Sequence, residues 1–468
     1  MHLPAAAQTL LFWRSPLRYF ELCRARYGSS FTLSALGLPP LVFLSDPVDL
    51  KAVFGASADV LRPGVGGASI QPIVGPSSFM LLDGEEHLAG RRAILPSFQV
   101  EAVQRHSELV ARMARREVAS WPRDVPFPLH PRLRALTLEI VLRTIFGADV
   151  EEESLARLHE RLLAMLSIAG SPLLSLPMLR EGPGSVIWKR FLRRREEADE
   201  LIYAFAERAR SAGEHKGGLT LSGGILAKLI AARNADGSAM GASQLRDNIM
   251  SLVLAGHETT ASELAWTFQL LAHHPAAQKN LLEEIDADTG EEYLVASIQE
   301  ALRHRPVFLF TIPRAVASPI EIGGWTYRPP TRLLGCIYLM HHDRSRYRQP
   351  EEFRPERFLE TTPDVAEAHA EGRGSSGFGS GASATQRLLC PREPVPAQAP
   401  AWLPWGGGRK RCPGLHMAML EMKTILRTAL SSVSVHPAAS SMERPLWRSV
   451  VVTPHAGCRV ILRNRRST

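Results

Sequence analysis

Cys412 stands in a run that concentrates much of the chemistry this chain offers: Trp405-Gly406-Gly407-Gly408-Arg409-Lys410-Arg411-Cys412-Pro413-Gly414. Three glycines permit positive φ and let the backbone approach something flat and bulky. Three cations follow, then one cysteine, then Pro-Gly and an apolar-periodic stretch from Leu415 to Leu430 that reads as a helix. A cysteine just ahead of a helix start, among cations, is expected to have a lowered pKa and to sit as thiolate. A thiolate is a soft ligand suited to iron, and Gly408 and Gly414 leave room for backbone N–H groups to turn toward its sulfur. The plainer reading is a Gly-rich loop around an inert Cys412 packed as a small hydrophobe. The density of glycines and cations favours the ligand.

Other stretches carry polar groups at helical spacing. His87 and Arg91, four apart in Asp83–Arg92, share a face if helical, although a solvated helix start would look the same. Ser243 to His274 is the longest periodic stretch, and Ala255-Gly256-His257-Glu258-Thr259-Thr260 forms a polar patch at its centre. Gly in a helix interior costs about 1 kcal/mol against Ala, and Thr hydroxyls compete for backbone carbonyls. A local widening or kink is therefore expected there, of a kind often found at functional sites. Glu300 and Arg303 form an i, i+3 pair, ordinarily worth about 0.2–0.5 kcal/mol. Phe353-Arg354-Pro355-Glu356-Arg357-Phe358 follows it.

The pattern aromatic-x-x-Gly-x-basic-x-Cys-x-Gly resembles the haem-binding loop of the cytochrome P-450 family, in which the cysteine is the axial iron ligand. Trp405 stands where that family most often has Phe, and Lys410 where it most often has Arg. The resemblance implies haem b as cofactor, Cys412 as its ligand and Trp405 beside the sulfur. Lys410, a point charge without the fork of Arg, would meet a haem propionate, or Arg409 would do so in its place. His87, Arg91 and the Arg314 of Ile312-Pro313-Arg314 match further positions where relatives hold propionates. The central patch matches the family signature Ala/Gly-Gly-x-Asp/Glu-Thr, whose acid and alcohol relay protons, making Glu258 and Thr259 the catalytic pair. Glu300, Arg303 and Arg357 match a buried lock behind the cysteine loop, with a role in folding and haem retention.

Four signatures in the family's order cover nearly the whole chain. They imply a mainly α fold with small β-sheets, one domain over 1–468 arranged as a triangular prism of helices around a buried haem. The implied activity is that of a haem-thiolate monooxygenase, in which the thiolate favours O–O cleavage. It would activate O₂ with two externally supplied electrons to hydroxylate or epoxidise a lipophilic substrate, such as a secondary metabolite, terpenoid, steroid or fatty acid. No flavin or Fe–S signature is present, so a separate acidic ferredoxin or flavodoxin with its reductase is expected. Those of Arg409, Lys410 and Arg411 that do not turn inward would steer it to the cysteine side. Two alternatives stay open: a peroxygenase or hydroperoxide-rearranging enzyme, which needs no acid–alcohol pair, and a non-enzymatic haem sensor.

The rest of the 468-residue chain must position these groups. Its 45% hydrophobic content suffices for a large core, and a formal charge of +8 suits an anionic surface or acidic partner. No basic tract interleaved with aromatics appears, which disfavours nucleic acid. Cys23, Cys336, Cys390, Cys412 and Cys458 lack the spacing of a zinc site or a disulfide framework. Leu10-Leu11-Phe12-Trp13 and the Pro-broken Leu166–Leu179 are too short for a membrane span, so a cytoplasmic protein is expected. Residues 31–45 read as a β-hairpin, with Asp46-Pro47 starting a short helix. Val100–Trp121, Arg132–Phe146, Ser154–Ala169 and Val186–Ser211 read as amphipathic helices. By the resemblance, Ser167–Pro183 falls at a mobile lid and Val307–Thr311 beside substrate. Val450–Thr453 and Arg459–Leu462 read as closing strands. Residues 361–400, Gly/Ser-rich and then Pro/Ala-rich, read as a flexible surface insertion.

Overall fold

The computed structural model describes residues 3–147, 150–171, 185–215, 224–234, 236–359, 402–448 and 450–465. The expected insertion at 361–400 and most of the expected lid lie outside these. The longer helices are α1 (Ala5–Arg14), α2 (Pro16–Tyr27), α3 (Pro47–Gly55), α4 (Gly84–Ile94), α5 (Ser107–Ala119), α6 (His130–Phe146) and α7 (Glu152–Ala169), then α8 (Ser185–His215), α9 (Ile225–Ala231), α10 (Ala242–His273), α11 (Pro275–Ala287), α12 (Glu292–His304) and α13 (Leu415–Leu430). Helix starts follow local chemistry. At α3 the Asp46 carboxylate accepts the Val48 N–H at 2.8 Å, and Pro47 fills the first turn, where no donor is needed. The expected helix over Val100–Trp121 is instead two, Val100–Gln104 and α5, because the His106 amide closes back on the Val103 carbonyl.

The strands are short. β1 (Ser30–Leu33) pairs antiparallel with β2 (Leu41–Leu44), which runs parallel to β8 (Arg332–Gly335); β5 (Arg314–Val316) and β3 (Leu61–Arg62) complete a five-stranded sheet in the order β1-β2-β8-β5-β3. All four residues of β2 are buried, which is why it reads as an uninterrupted apolar run and not as an alternation. β6 (Ile320–Ile322) and β7 (Trp325–Tyr327) form a hairpin that turns on Gly323 and Gly324, both at positive φ. β9 (Val433–Pro437), β12 (Arg459–Asn464) and β4 (Phe127–Pro128) make a three-stranded sheet, and β10 (Pro445–Arg448) with β11 (Val451–Pro454) a final hairpin.

α10 organises the interior. Leu245, Ile249, Met250 and Val253 in its first half belong to a core shared with α6, α7, α8 and α9. Ala261, Leu264, Ala265, Phe268 and Leu271 in its second half belong to another, shared with α5, α12 and α13. Trp266 is fully buried, its indole N–H donating to the Val452 carbonyl at 2.9 Å, so the ring loses no hydrogen bond on burial. Among the described residues no helix is long and apolar enough to cross a membrane.

Candidate functional site

The Trp405–Gly414 loop owes its shape to its glycines. Gly406 and Gly408 both have φ of +67°, a region that favours Gly. A Cβ on Gly407 would lie 2.6 Å from the Phe54 ring, and one on Gly408 would lie 2.9 Å from the Phe54 carbonyl oxygen. The loop thus presses on the end of α3, and it folds back on itself as the Cys412 amide donates to the Trp405 carbonyl at 2.9 Å. Trp405 is half-buried against the α5–α13 core. Two residues after Cys412, Gly414 caps the start of α13.

Of the four described cysteines, Cys23, Cys336 and Cys458 are buried and Cys412 is accessible. Its thiol nonetheless has protein atoms densely packed around it. The amides of Gly414 and Leu415, not that of Gly408, donate toward the sulfur, and Arg91 and Arg411 lie within electrostatic reach. The cations and helix start around it in sequence predict a lowered pKa. Burial instead pushes the thiol up, because lost solvation outweighs these amides and cations.

A second accessible stretch lies in the middle of α10. From Leu245 to Ala272 nearly every residue is buried, but Leu254, Ala255, Gly256, Glu258 and Thr259 are not fully covered. They fall at the junction between the two cores. The expected widening is absent, since α10 is continuous α-helix throughout. Gly256 answers a packing demand: a Cβ there would meet Val141 of α6 at 2.7 Å. The Thr259 hydroxyl donates to the Ala255 carbonyl at 2.6 Å, one turn back, and the Thr137 hydroxyl donates to the His257 carbonyl at 2.8 Å. The threonine competition thus adds bonds to helical carbonyls without breaking the helix.

The predicted cations gather near the cysteine loop. Arg314 is buried, its guanidinium 4.6 Å from the Phe54 ring centroid and 3.3 Å from the Gly407 carbonyl. Lys410 turns inward, donating to the carbonyls of Met80 at 3.0 Å and Leu82 at 2.6 Å, with His87 Nδ1 3.1 Å away. His87 is also buried, its Nδ1 2.8 Å from the Phe79 carbonyl and its Nε2 3.2 Å from that of Arg409. Arg409 and Arg411 are exposed. Burial lowers Lys410 to about 8 and Arg314 to about 10, and it also lowers His87 and Arg91. Asp83 is the carboxylate whose charge opposes these shifts at Arg314 and Lys410, and it already accepts the Gly64 amide at 2.7 Å. Among the described residues, enclosing several cations around one carboxylate leaves positive charge uncompensated. A planar, dianionic tetrapyrrole fits this donor set: a soft, accessible sulfur, and cations for two carboxylates.

The carboxylate of Glu258 leaves α10 on the side of α6. Its Oε2 lies 2.6 Å from Arg134 Nε and 3.5 Å from His257 Nε2, and its Oε1 lies 3.5 Å from His130 Nε2. Arg134 and His130 were missed from sequence. Arg134 falls in the helix expected over Arg132–Phe146, which starts two residues earlier and takes in His130, but nothing local marks their partner on α10. The remaining predicted group is assembled tightly. Arg303 and Glu300, both fully buried, pair at 2.7 Å, and Arg357 reaches Glu300 at 3.0 Å. Arg303 also donates to the carbonyls of His341 and Pro350, each at 2.9 Å.

Residues 2–461 match the family model described as Cytochrome P450. The chain is similar to cytochrome P450 135B1 of Mycobacterium tuberculosis, 32% identical over 476 residues, covering 99% of this chain and 91% of that one. It is 33% identical over 455 residues to cytochrome P450 137 of the same species, with 96% and 86% covered. Among solved structures, a retinoic acid-bound cyanobacterial CYP120A1 superposes with a TM-score of 0.77 at 19% identity, covering 98% of this chain and 96% of that one. A cytochrome P450DA heme domain gives 0.76 at 19% identity.

Removing one member of the fully enclosed ion pair would leave Arg303 uncompensated. Glu300→Ala is expected to destabilise the apoprotein by about 3–5 kcal/mol, read as a lowered urea midpoint. A midpoint within error of the parent's would show that the carbonyls alone hold Arg303.

Proposed function

Because this chain belongs to the cytochrome P450 family, and is thus a haem-thiolate oxidoreductase, we propose that Cys412 is its axial ligand and that it hydroxylates or epoxidises a lipophilic organic molecule. The observation that carries the assignment is the accessibility of Cys412, with two amides aimed at its sulfur, when the other described cysteines are buried. Arg91, Arg314 and Lys410, with His87 beside Lys410, would hold the propionates of haem b, and Trp405 would pack near the ligand. Bound haem supplies the chemistry of activating O₂ with two electrons from outside the chain.

The accessible segment of α10 forms the other wall of the site in this reading, with Glu258 and Thr259 as the proton relay. Thr259 holds its hydroxyl proton on the Ala255 carbonyl. Its oxygen can accept a proton from one neighbour while that hydroxyl proton passes to another. Glu258 supplies an acid one residue away. The relay favours a reductant-driven monooxygenase over a peroxygenase, to which protons need not be delivered. The chain functions in the cytoplasm as one domain, and an acidic ferredoxin or flavodoxin docks beside the loop, where Arg409 and Arg411 are exposed and Lys410 is committed inward.

Turnover should depend on an electron donor and O₂, and hydrogen peroxide should replace them poorly. Thr259→Ala is expected to keep consuming electrons while peroxide replaces product; unchanged coupling would remove Thr259 from the relay. Charge reversal at Arg409 or Arg411 should slow reduction by an acidic ferredoxin and weaken its dependence on salt. Haem content and dithionite reduction should stay as they were. A parental rate with the ferredoxin in both variants would place docking elsewhere.

A further inference from the structure

The N-terminal helix turns polar side chains inward and leucines outward. Gln8 and Thr9 of α1 are buried, while Leu10 is 65% exposed, Leu11 43% and Leu3, just ahead of the helix, 41%. The inward face has a clear cause. The Gln8 carboxamide donates to the Leu3 carbonyl at 2.8 Å and accepts the Ser34 amide at 3.2 Å, and the Thr9 hydroxyl accepts the Leu36 amide at 2.9 Å. Phe12, also buried, has its ring centroid 5.3 Å from that of Trp447. These contacts fix α1 against the turn between β1 and β2 and against β10. Turning the helix over to cover its leucines would break them. An amphipathic helix ordinarily covers its apolar stripe, and this one faces out, with Leu38 of the tethered turn exposed as well.

The charges around the stripe decide what fits over it. Between Met1 and Phe20 there is no acidic residue, whereas Arg14 at the end of α1 and Arg18 in α2 are exposed. Glu21 is taken by Arg24 at 2.5 Å. On the β10 side Arg444 is exposed, and the Glu443 carboxylate is occupied by the amides of Ala456 at 2.7 Å and Arg459 at 2.6 Å. A second copy of the chain fits poorly, because a two-fold contact would set these arginines against themselves. The outer face of a ten-residue helix, about 15 Å by 10 Å, is also far below the ~800 Å² that a partner surface usually needs. A bilayer needs no such area, because apolar insertion and attraction to anionic headgroups act together. At about 15 Å, α1 reaches across half of a hydrocarbon core and cannot span it. We propose that α1 lies flat on an anionic lipid surface, with Leu3, Leu10 and Leu11 entering the headgroup boundary and Arg14 and Arg18 meeting acidic headgroups.

The test uses the haem-loaded full chain and vesicles of phosphatidylglycerol mixed with phosphatidylcholine, and it reads the protein that sediments with them. The parent should bind these vesicles, bind pure phosphatidylcholine about tenfold more weakly or less, and come off the mixed vesicles as salt rises. Leu10→Ser combined with Leu11→Ser should weaken binding about tenfold. Arg14→Gln combined with Arg18→Gln should weaken it by roughly fivefold per arginine and remove most of the salt dependence. Both variants should keep the parental haem content and carbon monoxide spectrum, because the altered side chains are exposed. A parent that ignores the mixed vesicles, or binds pure phosphatidylcholine equally well, overturns the proposal. So does a parental affinity in either variant. A parent that is dimeric in solution, and becomes monomeric with the two serines, gives the stripe to a second copy and overturns it too. Should the serine variant fold poorly, hydrogen exchange on the parent decides. Mixed vesicles should slow the amides of α1, and protection found only elsewhere overturns the proposal.

Discussion

Positive charge enclosed by protein is the constraint around which the cysteine side of this molecule is arranged. Lys410 and Arg314 are enclosed near Asp83, the one carboxylate acting on them among the described residues, and Arg91 lies close to the thiol of Cys412. An enclosed cation without a counterion is costly, so each must be met by other acceptors. Backbone carbonyls do this. Met80 and Leu82 receive Lys410, and Gly407 faces Arg314. Carbonyl dipoles offset part of the charge and leave the remainder for an anionic ligand, a demand that haem propionates would meet under the proposed assignment.

Those carbonyls must themselves be fixed, and α10 fixes them. Asp247 accepts the Ser77 amide at 2.9 Å, Asn248 accepts the Phe79 amide at 3.0 Å, and Ser78 and Ser251 share a hydrogen bond of 2.6 Å. A Cβ on Gly75 would lie 2.0 Å from the Asp247 carboxylate, so only Gly fits where this segment crosses the helix. One helix thus suspends the segment that receives Lys410, contributes to both cores, and carries the acid and alcohol between them. Its polar residues in the first half, which look misplaced among apolar neighbours, are the attachment points.

Much of this was legible in the sequence because its causes are local. The α13 boundaries, the β1–β2 hairpin and the Asp46 cap each follow from a few adjacent residues. Glu300, Arg303 and Arg357 came together as the family resemblance implied. What escaped was set by distant neighbours. Gly256 suggested a widening because its partner, Val141, is invisible to a reading of one helix. The thiol of Cys412 looked activated because nearby cations are visible in sequence and burial is not. Arg134 looked like an ordinary member of an amphipathic helix, and His130 lay just ahead of it, until α10 was laid against them.

The central claim is that the sulfur of Cys412 binds haem iron, and the spectrum of the reduced carbon monoxide complex tests it most directly. The protein as it stands should show the strongly red-shifted Soret band of thiolate ligation, and Cys412→Ser should lose that band even where haem is retained. A serine variant that keeps the red-shifted band would contradict the assignment of Cys412.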